Sequence, residues 1–149
     1  MQAQSNKRRT LLAAGALLLV RPALASPDEL QAAITAFAGG RAVLPGRIKI
    51  DIATLVENGN TVPVTLTVES PMSAADHVQV IALFNERNPQ REVGKFTLGP
   101  RAGRAMVSTR IRLATSQKLV AVARMSDGSC YSHTVDVIVA LAACIEGEG

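Results

Sequence analysis

Residues 57–69 read ENGNTVPVTLTVE, and this stretch decides the fold class of the chain. Its Asn-Gly pair marks a tight turn, and Val62, Val64, Leu66 and Val68 then alternate with Pro or Thr. Successive side chains of a β-strand point to opposite faces, so a period of two predicts a strand with one buried face. The stretch therefore indicates a β-sheet protein.

Similar strand signals lie on both sides of this stretch, with turn residues such as an Asn-Pro pair between them. One of them, residues 78–84, is a continuous apolar run, which predicts a strand buried on both faces. About seven short strands with frequent turns predict an all-β, immunoglobulin-like β-sandwich. The predicted strands are residues 48–52, 62–68, 78–84, 93–98, 107–113, 119–125 and 130–140.

A short helix is predicted before the first strand. Leu30, Ile34 and Phe37 recur at helical spacing, Asp28 and Glu29 suit the positive end of a helix, and a pair of glycines follows. Acidic residues stabilise a helix N-terminus, and glycine commonly ends a helix. We therefore expect one amphipathic helix packed on the sandwich.

Residues 1–25 predict an export signal peptide. Arg8 and Arg9 precede an apolar run of residues 11–20, which is shorter than the roughly 20 residues that a membrane span needs. The arginine pair is typical of the twin-arginine pathway, and an ordinary secretory signal is the alternative. We expect a periplasmic protein, cleaved after Ala25, with a sandwich domain of residues 26–140 and a flexible C-terminal arm of residues 141–149.

The basic character of the chain belongs to the signal peptide. The whole chain has 16 Lys and Arg residues against 12 Asp and Glu. Four of the basic residues and none of the acidic ones lie in residues 1–25, which leaves 12 of each sign in residues 26–149. A neutral chain without a basic patch offers little to a phosphate backbone. Neither nucleic acid nor a membrane is therefore an expected partner.

Residue patterns of common enzymes and metal sites do not occur in the sequence. It has no Gly-x-Ser-x-Gly, no phosphate-binding glycine loop and no Cys-x-x-Cys motif. The two histidines, His77 and His133, lie at no spacing typical of metal ligands. We therefore predict no catalytic residue, no metal ligand and no cofactor.

The two cysteines, Cys130 and Cys144, remain as chemical candidates. Cys130 opens the last predicted strand and Cys144 follows its end, so about 30 Å of strand separates them. A disulfide needs Cα atoms within about 7 Å. We expect Cys130 to be a small buried residue and Cys144 to be an accessible thiol. The other predicted residues of the arm are Leu141, Ala142, Ala143, Ile145 and Glu146.

Several segments together resemble the SoxY family, the sulfur-carrier subunits of the periplasmic Sox thiosulfate-oxidation system. They are residues 57–64 (ENGNTVPV), 70–72 (SPM), 88–89 (NP), 108–112 (STRIR) and 125–129 (MSDGS), together with the export signal, the length and the terminal-arm Cys144. The resemblance covers essentially the whole chain after the signal peptide.

This resemblance implies a carrier and not an enzyme. It implies that Cys144 is the covalent attachment point for sulfur intermediates derived from thiosulfate. It also implies a heterodimer with a SoxZ-like subunit, and visits to Sox enzymes that include a haem c-type sulfur transferase and a sulfate-releasing hydrolase. The only group that the chain would then carry is its covalently bound sulfur substrate.

One feature departs from the family pattern. The familiar SoxY terminus is Gly-Gly-Cys-Gly-Gly, whereas residues 142–146 read AACIE. Alanine restricts the backbone more than glycine does, and acidic residues nearby disfavour a thiolate and repel thiosulfate. Two alternatives stay open: an exported immunoglobulin-like binding module with no covalent carrier role, and a redox enzyme that uses Cys144.

Overall fold

The computed structural model of the protein describes residues 27–141. The predicted signal peptide and residues 142–149 lie outside the described residues. The described chain forms one α-helix, nine β-strands and a 3₁₀ turn at Pro100–Ala102. The helix is α1 (Pro27–Ala38), and the strands are β1 (Val43–Pro45), β2 (Ile48–Asp51), β3 (Leu55–Asn58), β4 (Val62–Val68), β5 (Val78–Asn85), β6 (Glu92–Thr97), β7 (Met106–Ile111), β8 (Gln117–Met125) and β9 (Cys130–Leu141).

Two sheets pack face to face to form the sandwich. The larger sheet has the strand order β1-β9-β8-β5-β6, and β3 also pairs with β9. The smaller sheet has the order β2-β4-β7 and is antiparallel throughout. The four alternating apolar residues of β4 are all buried in the centre of the smaller sheet. The period of two in the opening stretch thus predicted this strand and its buried face correctly.

The strand β5 lies between β8 and β6 and is buried on both faces, as its apolar run predicted. Ile81 and Leu83 belong to the core between the two sheets. Ala82 and Phe84 belong to a second apolar cluster under the helix. Because side chains alternate along a strand, one buried strand supplies both clusters.

The helix α1 covers the outer face of the larger sheet. Leu30, Ile34 and Phe37 are its buried stripe, and the Phe37 and Phe84 rings form a T-shaped pair with 5.9 Å between their centroids. Gly39 ends the helix with a φ of 62°, a left-handed conformation that glycine adopts without strain. The predicted helix is therefore confirmed. Within residues 27–141, no helix combines the length and hydrophobicity that a membrane crossing requires.

The fold class is confirmed, and the strand number is nine instead of about seven. The additional strands are β1 and β3, with three and four residues, and both run parallel to β9. The turn at Asn58 and Gly59 exists, but the two strands that it connects do not pair with each other. β3 pairs with β9, whereas β4 pairs with β2 and β7. Unlike the equally short β2, which alternates buried and exposed residues, β1 (VLP) and β3 (LVEN) show no regular alternation.

Candidate functional site

The site begins where β9 ends, because this strand leads directly into the predicted arm. The Ile138 amide donates to the Thr54 carbonyl over 2.8 Å, and the Gly59 amide donates to the Leu141 carbonyl over 3.0 Å. These bonds accompany the parallel pairing of β3 with the last residues of β9. The chain is therefore fixed to the domain up to Leu141, the last residue that the structure describes.

A second neighbour holds the same end of β9. The pairing of β8 with β9 stops at Gln117 and Val137. Beyond it, the Val139 amide donates to the Ser116 hydroxyl over 2.8 Å. A side chain thus replaces the next ladder bond, so the end of β9 is held both by β3 and by the segment that enters β8.

Three large apolar side chains are exposed around this end. Leu55, Ile138 and Leu141 have exposed fractions of 64%, 60% and 67%. Leu55 and Ile138 are register partners on β3 and β9, so they lie side by side. Leu141 was predicted as the first residue of the arm, and the structure places it as the final residue of β9. The remaining predicted site residues, Ala142, Ala143, Cys144, Ile145 and Glu146, lie outside the described residues.

The other cysteine lies at the opposite end of β9 and is inaccessible. Cys130 is only 1% exposed and packs in the cluster under the helix. Burial raises the pKa of the Cys130 thiol, because desolvation disfavours the thiolate, although Arg124 and Arg41 act in the opposite direction. Since a thiolate is the reactive form of cysteine, Cys130 is a poor nucleophile at neutral pH. The prediction of a small buried residue is confirmed.

The length of β9 also separates the two thiols of one chain. Its 12 residues span roughly 36 Å. The three residues from Leu141 to Cys144 can return about 10 Å at most. A disulfide between Cys130 and Cys144 of the same chain is therefore out of reach.

Both histidines have structural partners. The His133 Nδ1 atom accepts a hydrogen bond of 3.1 Å from the Ile50 amide, and this bond joins the edge of the smaller sheet to β9. The His77 Nδ1 atom lies 3.0 Å from the Ser73 carbonyl oxygen. In the described part of the chain, no three His, Cys, Asp or Glu side chains are grouped to hold a metal ion.

The structure also shows a cleft that the sequence analysis missed. It lies on the outer face of the smaller sheet, has a volume of about 420 Å³, and is lined by Asp51, Ile52, Ala53, Pro63, Val64, Thr65, Ser108, Thr109 and Arg110. Pairing of Pro63 with Arg110 and of Thr65 with Ser108 brings β4 and β7 together there. In the sequence, Ser108 and Arg110 appear only as polar positions of a strand, which gives no sign of a concave surface.

Comparison with known proteins identifies relatives of this chain. The family model for the sulfur oxidation protein SoxY matches residues 34–144. The structure of the sulfur carrier protein SoxY from Chlorobium limicola f thiosulfatophilum is similar, with 30% identity and a TM-score of 0.64. That match covers 75% of this chain and 92% of the SoxY chain. No curated protein sequence matches.

Superoxide reductases share the fold at lower sequence identity. The enzyme (neelaredoxin) from Ignicoccus hospitalis has 19% identity and a TM-score of 0.56, over 78% of this chain and 94% of its own. The superoxide reductase from Nanoarchaeum equitans has 12% identity and a TM-score of 0.55, over 64% of this chain and 100% of its own. At these identities the likeness concerns the fold alone.

Proposed function

This chain belongs to the SoxY family of sulfur oxidation proteins, and on that premise we propose that it holds sulfur intermediates covalently on Cys144. Membership supports the broader role directly: the chain is a sulfur carrier, a subunit that is not itself an enzyme. The attachment residue, the compartment and the named partners are the parts that we propose.

The observation that carries the proposal is the contrast between the two ends of β9. At its first residue, the Cys130 thiol is buried and its pKa is raised. At its last residue, Leu141 is exposed and hydrogen-bonded to the domain, three residues before Cys144. Of the two thiols in the chain, Cys144 is thus the one whose attachment point faces solvent.

The root of the arm is Leu141, which is hydrogen-bonded to the domain. A fixed root followed by a short segment suits a carrier. Three residues allow a reach of at most about 10 Å from Leu141 to Cys144, so we propose that the sulfur enters a partner's active site while the domain stays outside. A covalent bond keeps the intermediate from diffusing away between enzymes. Ala142 and Ala143 are small enough to pass a narrow entrance, and Ile145 and Glu146 follow the thiol into it.

The proposed loading reaction is an oxidative coupling. The Cys144 thiol and thiosulfate together lose two electrons and the thiol proton, and a sulfur–sulfur bond forms between them. A haem c-type partner accepts the electrons. A hydrolase then cleaves the terminal sulfone as sulfate with water and leaves sulfane sulfur on Cys144. Because the partners supply the redox and hydrolytic chemistry, we propose no cofactor on this chain other than its sulfur cargo.

We also propose a compartment and a subunit partner. The paired arginines and the short apolar run of residues 1–25 support export by the twin-arginine pathway to the periplasm, with cleavage after Ala25. We propose a heterodimer with a SoxZ-like subunit, which family membership supports. Leu55 and Ile138 give an exposed apolar surface near the root of the arm, and such surfaces often mark protein contacts.

Intact mass spectrometry tests the attachment residue. Incubation with thiosulfate and the partner oxidase should raise the mass of the protein by one thiosulfate group per chain. Cys144→Ala should abolish the increase while circular dichroism shows an unchanged fold. Cys130→Ala is the matched control, and it should be loaded like the wild type because its thiol is buried.

Two results would contradict attachment to Cys144. A wild-type mass that never changes would favour the alternative, an exported binding module without covalent carrier chemistry. Loading that survives Cys144→Ala but fails in Cys130→Ala would show that Cys130, and not Cys144, is the attachment residue.

A further inference from the structure

Two exposed arginines lie close to the end of β9, where the arm begins. Arg110 and Arg112, near the end of β7, are exposed, and neither guanidinium has a carboxylate oxygen of a described residue within 4.0 Å. The Leu113 amide donates to the Gly59 carbonyl over 2.8 Å, and the Gly59 amide donates to the Leu141 carbonyl. A short chain of hydrogen bonds thus connects the end of β7 to the end of β9.

Arg110 also lines the 420 Å³ cleft on the outer face of the smaller sheet. We call this surface, together with the adjacent Arg112, the Arg110 cleft. Thr65 and Ser108 present hydroxyl groups to it, and these are hydrogen-bonded to each other over 2.9 Å. Asp51 lines the cleft as well and partly offsets its positive charge. The cleft therefore offers two cations, hydroxyl groups and enough room for a few residues of an extended peptide.

The segment that follows Leu141 is complementary to this surface. Residues 142–149 include Glu146 and Glu148 and no basic residue. Glu146 lies five residues beyond Leu141, which allows a reach of about 17 Å. Opposite charges attract more strongly the closer they lie. A tethered ligand also has a high effective concentration at its own domain. The length and the charge of the segment thus both suit the Arg110 cleft.

We propose that residues 142–149 bind to the Arg110 cleft of their own domain when no partner enzyme is present, with Glu146 and Glu148 paired to Arg110 and Arg112. The Cys144 thiol is then held along the side of the smaller sheet. A partner must displace the acidic segment before it takes the thiol, so a basic entrance on the partner competes directly with the cleft. Only this consequence rests on the proposed carrier function, since the intrachain contact involves no sulfur chemistry.

Paramagnetic relaxation from a nitroxide on Cys144, in the Cys130→Ala background, measures where the segment lies. At low salt, the amide signals of Thr65 and Ser108 should broaden strongly. Signals of Lys118 and Asp136, which pair on the larger sheet near the same end of the molecule, should broaden much less. Salt at about 500 mM shortens the screening length to a few ångströms and should reduce this difference.

Charge variants test whether Arg110 and Arg112 bind the acidic segment. Two exposed ion pairs change the docked-to-free ratio by about fivefold, so R110E/R112E should remove most of the broadening at Thr65 and Ser108. R101E/R104E makes the same charge change near the start of β7 and should leave it intact. Adding E146R/E148R to R110E/R112E should restore the broadening.

Other results would overturn the proposal. Equal broadening on both sheets would show that the segment has no preferred site. Salt-independent broadening centred on Leu55 and Ile138 would place it on the apolar surface instead. Each of these results leaves the thiosulfate-loading experiment unaffected, so failure of the docking and failure of the carrier role are distinguishable.

Discussion

The reactivity of each cysteine follows from its place on one strand. Cys130 opens β9 beneath the helix, where apolar neighbours surround its sulfur. The Cys130 thiol donates a weak hydrogen bond to the Gly128 carbonyl over 3.8 Å. A thiolate there would lose its hydration and gain little in return. Cys130 is therefore an inert thiol, in contrast to the reactive role that we propose for Cys144.

The raised pKa of Cys130 has a consequence for stability at alkaline pH. The unfolded chain releases the thiol proton near the usual value of 9.0, whereas the folded chain holds it to higher pH. The folded state thus binds more protons, so stability from this group is complete at neutral pH and declines as pH rises from about 8.5. We expect the free energy of unfolding to fall more steeply between about pH 8.5 and pH 10 in the wild type than in Cys130→Ala.

Urea titrations at several pH values measure this difference. At neutral pH, Cys130→Ala should cost about 1 kcal/mol, because it removes one buried sulfur atom. Cys144→Ala is the control and should keep the wild-type slope. Equal slopes in the wild type and Cys130→Ala would show that the buried thiol does not contribute.

The sequence was informative about Cys130. It was predicted to be a small buried residue because a disulfide with Cys144 is out of reach and free cysteine is commonly buried, and it is buried. The Arg110 cleft could not be predicted in this way. It depends on the register that places Pro63 opposite Arg110 and Thr65 opposite Ser108, residues more than 40 positions apart, and strand register is not visible in the period of a single strand.

Among the elements, the end of β9 is distinctive because one backbone carbonyl and one side-chain hydroxyl accept hydrogen bonds from its neighbouring amides. Ile138 is bonded to the backbone of Thr54, whereas Val139 is bonded to the side chain of Ser116. The Ile138 bond requires only that the backbone between β2 and β3 places the Thr54 carbonyl next to β9. The Val139 bond depends on one hydroxyl group, so a single substitution can loosen the root of the arm selectively.

Hydrogen exchange of Ser116→Ala tests this dependence. Loss of a net hydrogen bond of about 1 kcal/mol should speed exchange of the Val139 amide about fivefold. The Ile138 amide should keep its wild-type rate, since its partner is unchanged. Thr115→Ala is a matched neighbour on the exposed surface and should alter neither amide. An unchanged Val139 rate in Ser116→Ala would mean that β3 alone fixes the strand end.

The strands with a clear apolar pattern were predicted well, whereas β1 and β3 were not predicted at all. β4, β5 and β8 have seven to nine residues, enough for a period or a continuous apolar run to be recognised. β1 and β3 have three and four residues and gain their pairing from β9. Their existence depends on a distant partner strand, and local propensity carries no information about such a partner.

At the scale of the whole molecule, two apolar clusters share their strands. β5 and β8 supply residues both to the core between the sheets and to the cluster under α1. Neither cluster can lose its packing without disturbing strands that the other requires. We therefore expect the helix and the sandwich to unfold as one cooperative unit.

Phe37→Ala tests this coupling. Phe37 is 9% exposed and packs against Phe84 and beneath the Arg124 guanidinium, 5.3 Å from the ring centroid. Its removal should lower the free energy of unfolding by about 3 kcal/mol, with a single urea transition of unchanged slope. Leu44→Ala removes a side chain that is 54% exposed and should change stability by less than about 0.5 kcal/mol. Separate transitions for helix and sheet signals would contradict the shared-strand account.

The attachment of the arm to β9 also determines how the molecule responds to mechanical load. A force applied to Leu141 along the axis of β9 acts on the last residue of this strand. The inter-strand bonds to β1, β3 and β8 run across that axis, so the tension is distributed over many bonds in shear and does not peel them apart one by one. The capture and release that we propose for the segment after Leu141 would therefore load many inter-strand bonds of β9 together.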